Sequence, residues 1–250
     1  MEGICILSNI PMRREANSRS EIVSMLLFGE TYSVNEAESL EDWKLITTTA
    51  DEYTGWISAN QFSALTRRPV TFSVVTDFPF AILQYDQGVI MAPCGSLLPD
   101  YDGTKCAVNG TDYNVVNLQQ AFDASSLPYL AKRFLNAPYL WGGRSPFGID
   151  CSGFMQVIYK CLDIQLRRDA WQQAEMGTTV SFLEEVKTGD LAFFDNAEGT
   201  ITHVGMMLDP HTIIHASGRV RIDMMDTYGI MKAAERTYSH KLRIIKRIFP

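Results

Sequence analysis

Cys151 sits where a glycine-rich stretch, Trp141-Gly142-Gly143 through Ile149-Asp150, gives way to apolar residues at helical spacing: Phe154, Val157, Ile158, Cys161 and Leu162. The Asp150 carboxylate is placed to cap that helix. Cys151 then falls in the first turn, at the positive end of the helix dipole, where a thiol is expected to ionise readily. A cysteine nucleophile needs a base to take its proton and return it to the leaving group. The chain has four histidines: His203, His211, His215 and His240. His203 and His215 lie in two apolar segments, Ile201 to Leu208 and Thr212 to His215, with Asp209-Pro210 between them. A hairpin turning there sets the two nearly opposite, within about 5 Å at Cβ. One imidazole can then face the thiol while the other orients it. His211, four residues before His215, sits beside the turn and reads as solvated. His240, in the polar stretch Thr237 to Lys241, reads as surface. Cys161 on the apolar helix face, and Cys5, Cys94 and Cys106 in strand-like settings, read as inert core thiols.

The elements that must carry these residues fall into three regions. Residues 1–66 contain short strand-like runs at 22–30, 31–34, 42–47 and 53–57, separated by Gly, Asn and Asp turns, a pattern that predicts a small barrel. Residues 67–116 repeat the theme with runs at 70–75, 80–85, 88–91 and 106–108, which predicts a second, more divergent barrel. Leu118 to Ser126 reads as a connector, and Pro128 opens a helix through Phe134 that Asn136-Ala137-Pro138 ends. Residues 117–250 then run helix first and strands after: the Cys151 helix, a strand entered at Gly189-Asp190, and the histidine hairpin. The expected fold class is α+β, a helical layer on an antiparallel sheet, preceded by the two all-β barrels.

Composition narrows the function. The 250 residues are 46% hydrophobic and 20% charged, an ordinary globular mix, with net charge −7 and no long Lys/Arg run. That argues against a nucleic-acid partner or a basic membrane patch. No run of 18 apolar residues is present, and Met1 to Ile10 lacks the basic start and apolar core of a signal peptide. Five cysteines, odd in number and sparse, do not make a disulfide framework, so a cytoplasmic setting is expected. Neither C-x-x-C nor H-E-x-x-H occurs, so no metal and no cofactor are expected.

Two resemblances add to this reading. Tyr139-x-Trp141-Gly142-Gly143, Asp150-Cys151-Ser152-Gly153, Gly189-Asp190-Leu191, His203-Val204-Gly205 and His215-Ala216 stand in the order found in the NlpC/P60 cysteine peptidases, which the chain resembles over residues 128–220. That resemblance implies a papain-like domain with Cys151 as nucleophile, His203 as base and His215 as orienting residue. It also implies that the Tyr139 hydroxyl supports the oxyanion or substrate, while the backbone N–H of Cys151 donates to the tetrahedral oxyanion. Arg13-Arg14-Glu15, Ser20 to Val23, Gly29-Glu30, Asp42-Trp43 and Gly55-Trp56-Ile57 resemble a bacterial SH3-like (SH3b) domain over about 60 residues.

The fusion, with Arg167-Arg168-Asp169 and His215 to Ile222, is similar to the γ-D-glutamyl-L-diamino acid endopeptidases of the YkfC type. That likeness implies a murein tri- or tetrapeptide substrate with a free N-terminal L-Ala, cut between γ-D-Glu and the diamino acid during cell-wall recycling. A monomer is expected. Asp150 and Ser152 match residues lining the amine pocket, Tyr53 matches the SH3b tyrosine, and Glu30 is the chosen SH3b carboxylate, with Glu15 second. Ala170 stands where that group often has serine. Two competing readings are a hydrolase acting on intact cell wall and a non-catalytic SH3b peptide-binding protein.

Overall fold

The computed structural model describes residues 1–76, 78–116, 122–232 and 237–248. Part of the expected connector, residues 118–121, lies outside them. Short alternating runs give six antiparallel strands at the start of the chain: β1 (Glu2–Ile4), β2 (Asn9–Arg13), β3 (Ile22–Leu27), β4 (Thr31–Asn35), β5 (Trp43–Thr48) and β6 (Thr54–Ser58). They pair in the order β1-β4-β5-β6-β2-β3 around Ile10, Met12, Leu26, Tyr32, Ile46 and Ile57. The sheet does not close into the expected barrel among the described residues. β1 is three residues long, bonded to β4 and bridged through Gly3 to Ala64, which leaves it no edge for β3.

Six more strands follow: β7 (Phe72–Val74), β8 (Phe80–Tyr85), β9 (Gly88–Pro93), β10 (Leu97–Pro99), β11 (Lys105–Val108) and β12 (Thr111–Val116). They form a four-stranded sheet, β11-β12-β8-β9, and a separate β7–β10 pair, again open among the described residues. This core takes in Ile4 and Phe28 from the first region, so the two β-rich regions are packed together.

The rest of the chain holds α1 (Leu127–Arg133), a small hairpin of β13 (Arg144–Ser145) and β14 (Gly148–Ile149), α2 (Cys151–Lys160) and α3 (Ala170–Gln173). The strands β15 (Thr178–Val180), β16 (Leu191–Asp195), β17 (Ile201–Asp209), β18 (Thr212–Ser217), β19 (Arg219–Met224), β20 (Gly229–Lys232) and β21 (Thr237–Arg247) complete it. The sheet order is β15-β21-β16-β17-β18-β19, with β20 on β21. Phe154, Val157 and Ile158 of α2 pack on Phe193, Val204, Met206 and Ile214. A second cluster, with Phe194, Met207, Ile213 and Ile245, contains the alternate residues of the same strands. The α+β expectation is met by this one layer, but the chain as a whole is mostly β with few helices. No described helix is long and apolar enough to cross a membrane.

Candidate active site

The loop before α2 is shaped by backbone constraints. Gly142 has φ +79°, and a side chain there would strike the carbonyl of Ile22 on β3. The glycine-rich loop therefore sits directly on the N-terminal sheet. Asp150 caps α2 as expected, accepting from the backbone N–H of Gly153 at 2.7 Å and also from that of Gly142 at 2.9 Å. The buried guanidinium of Arg168 pairs with the same carboxylate and donates to Ser152 Oγ at 2.8 Å. These bonds fix the first turn of α2, where Cys151 is 4% exposed.

The hairpin turns one residue later than expected, at Pro210-His211, with a bulge between Met207 and Asp209. Gly205, not His203, therefore faces His215, and the two histidines are diagonal neighbours. They still meet, with His203 Nε2 2.8 Å from His215 Nδ1. Gly205 permits this, since a Cβ there would lie 2.8 Å from that of His215. On its far side, His215 Nε2 lies 2.9 Å from Asp223 Oδ2, and Arg221 holds the other carboxylate oxygen at 2.7 Å. Burial works against ionisation of Asp223, but the bonds from His215 and Arg221 outweigh it and hold the carboxyl below its ordinary range.

An ionised carboxylate only accepts hydrogen bonds, so His215 carries its proton on Nε2. Its Nδ1 is then an acceptor, and His203 must donate from Nε2. That leaves Nδ1 of His203 as the free basic nitrogen.

The resting thiol differs from the sequence expectation. Burial pushes Cys151 up to about 12, and the neighbouring Asp150 carboxylate adds to the effect. The backbone N–H groups of Val204 and Ser152, with Arg168, act in the opposite direction but are outweighed. His203 is driven well below its ordinary range, first by burial and then by His240 and His215. The helix end is present, yet removal from water dominates, and burial disfavours the charged form of both the Cys151 thiol and the His203 imidazole.

A cavity of about 460 Å³ opens beside Cys151, with Tyr53, Asp169, Trp141 and Glu21 among its lining residues. Asp150 and Ser152 line it, although both Asp150 oxygens are already engaged. The Tyr53 hydroxyl donates to Asp169 Oδ1 at 3.4 Å. Burial raises the Asp169 carboxyl, against the pull of Arg168, and burial with Asp169 pushes Tyr53 up to about 12. Tyr139 is half-buried; burial, then Cys151, raises its phenol, which places it within electrostatic reach of the thiol. Ala170 also lines the cavity, where its side chain offers no polar atom.

Glu30 does not reach this cavity. It is buried between Arg144 (2.9 Å) and Lys160 (2.6 Å) and also accepts from the Leu27 N–H. A charge removed from water takes the partners that neutralise it, and these lie on β13 and at the end of α2. Glu15 is exposed and does not line the cavity. The cavity carboxylates on offer are Asp169 and Glu21, the latter tied to Trp141 Nε1 (2.6 Å) and Arg14 (2.7 Å). Sequence reasoning missed both as site residues, although Asp169 stands in the Arg167-Arg168-Asp169 motif. It also missed Asp223, on a strand it did not identify, and His240, whose ring stacks on His203.

Nitrogens of His203, His215 and His240 lie within 4.8 Å of one another, the one such cluster among the described residues that could hold a metal. The first two nitrogens are joined in a hydrogen bond, and the third ring is stacked rather than convergent. The arrangement fits a proton path better than a tetrahedral site.

Residues 136–238 match the NlpC/P60 family. Over 133 residues the chain is 36% identical to a γ-D-glutamyl-L-lysine dipeptidyl-peptidase of Bacillus subtilis, a match covering 52% of this chain and 43% of that protein. A protein of the same name from Bacillus cereus is 37% identical over 137 residues, covering 52% and 41%. The chain thus spans less than half the length of these curated relatives. A crystal structure of an NlpC/P60 family protein from Bacillus cereus aligns over the whole of both chains with a TM-score of 0.81 at 22% identity, which shows a shared fold. Cys151, His203 and His215 all fall inside the segment that matches the NlpC/P60 family.

Proposed function

We propose that the chain is a cysteine endopeptidase that cleaves the bond between γ-D-Glu and an L-diamino acid, Lys or diaminopimelate, in murein peptides with a free N-terminal L-Ala. The observations that support this reading are the hydrogen-bonded path His203–His215–Asp223 and a cavity lined by Cys151, in which Tyr53 meets Asp169. The names of the curated relatives support the γ-D-glutamyl bond.

Nδ1 of His203 takes the Cys151 proton as sulfur attacks the γ-carbonyl carbon of D-Glu. The backbone N–H of Cys151 and the Tyr139 hydroxyl stabilise the oxyanion. The imidazolium returns its proton to the departing α-amine of the diamino acid, and the C–N bond breaks to leave a thioester. Water, activated by His203, adds to the thioester and releases the L-Ala-D-Glu carboxylate and the thiol. Through these steps Asp223 and His215 hold His203 in one tautomer.

The substrate ammonium sits by Asp169 and Tyr53, a carboxylate and a hydroxyl in a partly closed pocket. Residues 1–66 and 67–116 act as two SH3b-like units, the first forming one wall of the cleft, and residues 117–250 supply the chemistry. The setting is wall-peptide recycling in the cytoplasm, with the chain as a monomer.

Incubating the reduced protein with L-Ala-γ-D-Glu-diaminopimelate tests this directly. Release of L-Ala-D-Glu, abolished by Cys151→Ala, is the expected result. Equal turnover of an N-acetylated peptide would point instead to a hydrolase that accepts intact wall.

A further inference from the structure

His240 lies outside the Cys151–His203–His215 set, on β21, two strands from His203. Its ring stacks on His203 with centroids 4.1 Å apart and planes 23° apart. It meets His215 edge-on at 5.7 Å and 86°. Phe194, on β16 between them, packs edge-on against His240 at 5.9 Å and tilted against His203 at 5.8 Å. One ring therefore lies against both partners of the His203–His215 hydrogen bond. His240 is itself half-buried and contacts Ser239 Oγ through Nδ1 at 2.9 Å.

We propose that His240 is a positioning residue for the peptidase reaction: its stacked ring holds His203 in the orientation that bonds His215 and keeps water from the His203–His215 hydrogen bond. This rests on the function proposed above. The physical need is specific. In the proposed mechanism His203 must stay in register with both the sulfur and His215 while it is protonated and deprotonated twice per turnover. An imidazole free to rotate loses either the base nitrogen or its orienting bond. A flat ring in van der Waals contact removes that rotation, and excluding water strengthens the remaining hydrogen bond.

His240 also bears on the charge of His203, since it acts after burial to disfavour the imidazolium. Nearby in the site, Cys151 and Asp150 stand at the start of α2, with Arg168 from the segment before α3 paired to Asp150. His215, Asp223 and Arg221 lie on β18 and β19. Asp195 on β16 lies 3.9 Å from both Lys241 and Arg243 on β21.

His240→Phe keeps a flat ring and removes the ionisable group, whereas His240→Ala removes both. Both variants are compared with wild type for kcat, KM, thermal midpoint and the acid limb of kcat/KM. For the phenylalanine variant we expect kcat within about threefold of wild type and an acid limb moved to higher pH, because His203 protonates more easily. For the alanine variant we expect kcat to fall about 10- to 100-fold with KM little changed.

Wild-type kcat and an unmoved acid limb in both variants would overturn the proposal. So would equal losses in both that track a lowered thermal midpoint, since a structural role predicts that result. The pH dependence of Cys151 alkylation by iodoacetamide gives the same comparison without substrate. An error in the substrate assignment is thereby separated from an error about His240.

Discussion

His215 Nε2 lies 2.9 Å from Asp223 Oδ2, so the ring that orients His203 is itself oriented by a carboxylate. That contact fixes the direction of the proton between His215 and His203. Asp223→Asn replaces an obligate acceptor with an amide that can donate to the same nitrogen. Molecules in which it donates carry the His215 proton on Nδ1, pointing at His203, and the base loses its tautomer. We expect kcat to fall about tenfold or more, equivalent to about 1.4 kcal/mol of transition-state stabilisation, with KM unchanged. Steady-state kinetics checks this, and a rise in KM with kcat intact would show that Asp223 acts on substrate instead.

Burial of the thiol and the imidazole has its own pH signature. In the proposed mechanism His203 acts unprotonated, and burial with its two histidine neighbours holds its pKa well below 6.5. Activity is therefore expected to persist below pH 6.5 and to be lost only as pH falls through that depressed value. The thiol, pushed up to about 12, is expected to react with iodoacetamide at a rate that still climbs between roughly pH 8 and 10. A preformed thiolate–imidazolium pair would instead give a plateau across neutral pH. Initial alkylation rates measured on the unliganded protein distinguish the two.

Local pattern carried the parts of the site that depend on neighbours in sequence. The apolar spacing after Cys151, the Asp150 cap and the pairing of the two histidines are properties of one helix and one hairpin. The exact register was not legible, because it depends on where the turn closes and on a bulge. Glu30 was misread for a different reason: its partners are 114 and 130 residues away, and nothing beside it marks the burial. β21 hid His240 because most of that strand is at least partly exposed and its polar residues conceal the alternation. The thiol's charge state was also beyond local reading, since the helix end is local but the burial that outweighs it is tertiary.

Tyr53, just before β6, meets the Asp169 carboxylate from the C-terminal region inside the cavity. If that pair receives the substrate amine, its loss should appear in binding rather than chemistry. Asp169→Asn is expected to raise KM for the free-amine tripeptide about 10- to 100-fold, the worth of a charge-assisted hydrogen bond, with kcat within a few-fold. Tyr53→Phe should act in the same direction and more weakly. The N-acetylated peptide, with no ammonium to lose, should be turned over equally poorly by wild type and both variants. A matching drop for both peptides would assign Asp169 to the α3 capping box alone.

Glu30 gives the complementary case, a carboxylate whose loss should cost stability and not binding. Burial raises its pKa, but Arg144 and Lys160 outweigh this and bring it from 4.5 to about 2. A depressed folded value means that the stabilisation is fully present above about pH 4.5 and is lost as pH falls toward 2. A displacement of that size corresponds to about 3 kcal/mol. Glu30→Gln leaves two buried cations without a counter-charge, which typically costs about 3–5 kcal/mol. Urea melts at neutral pH should show that loss, and the wild type should lose stability through the acid window while the variant shows a flatter dependence. Where Glu30→Gln remains folded, KM for the free-amine peptide should match wild type, because the side chain faces Arg144 and Lys160 and not the cavity beside Cys151.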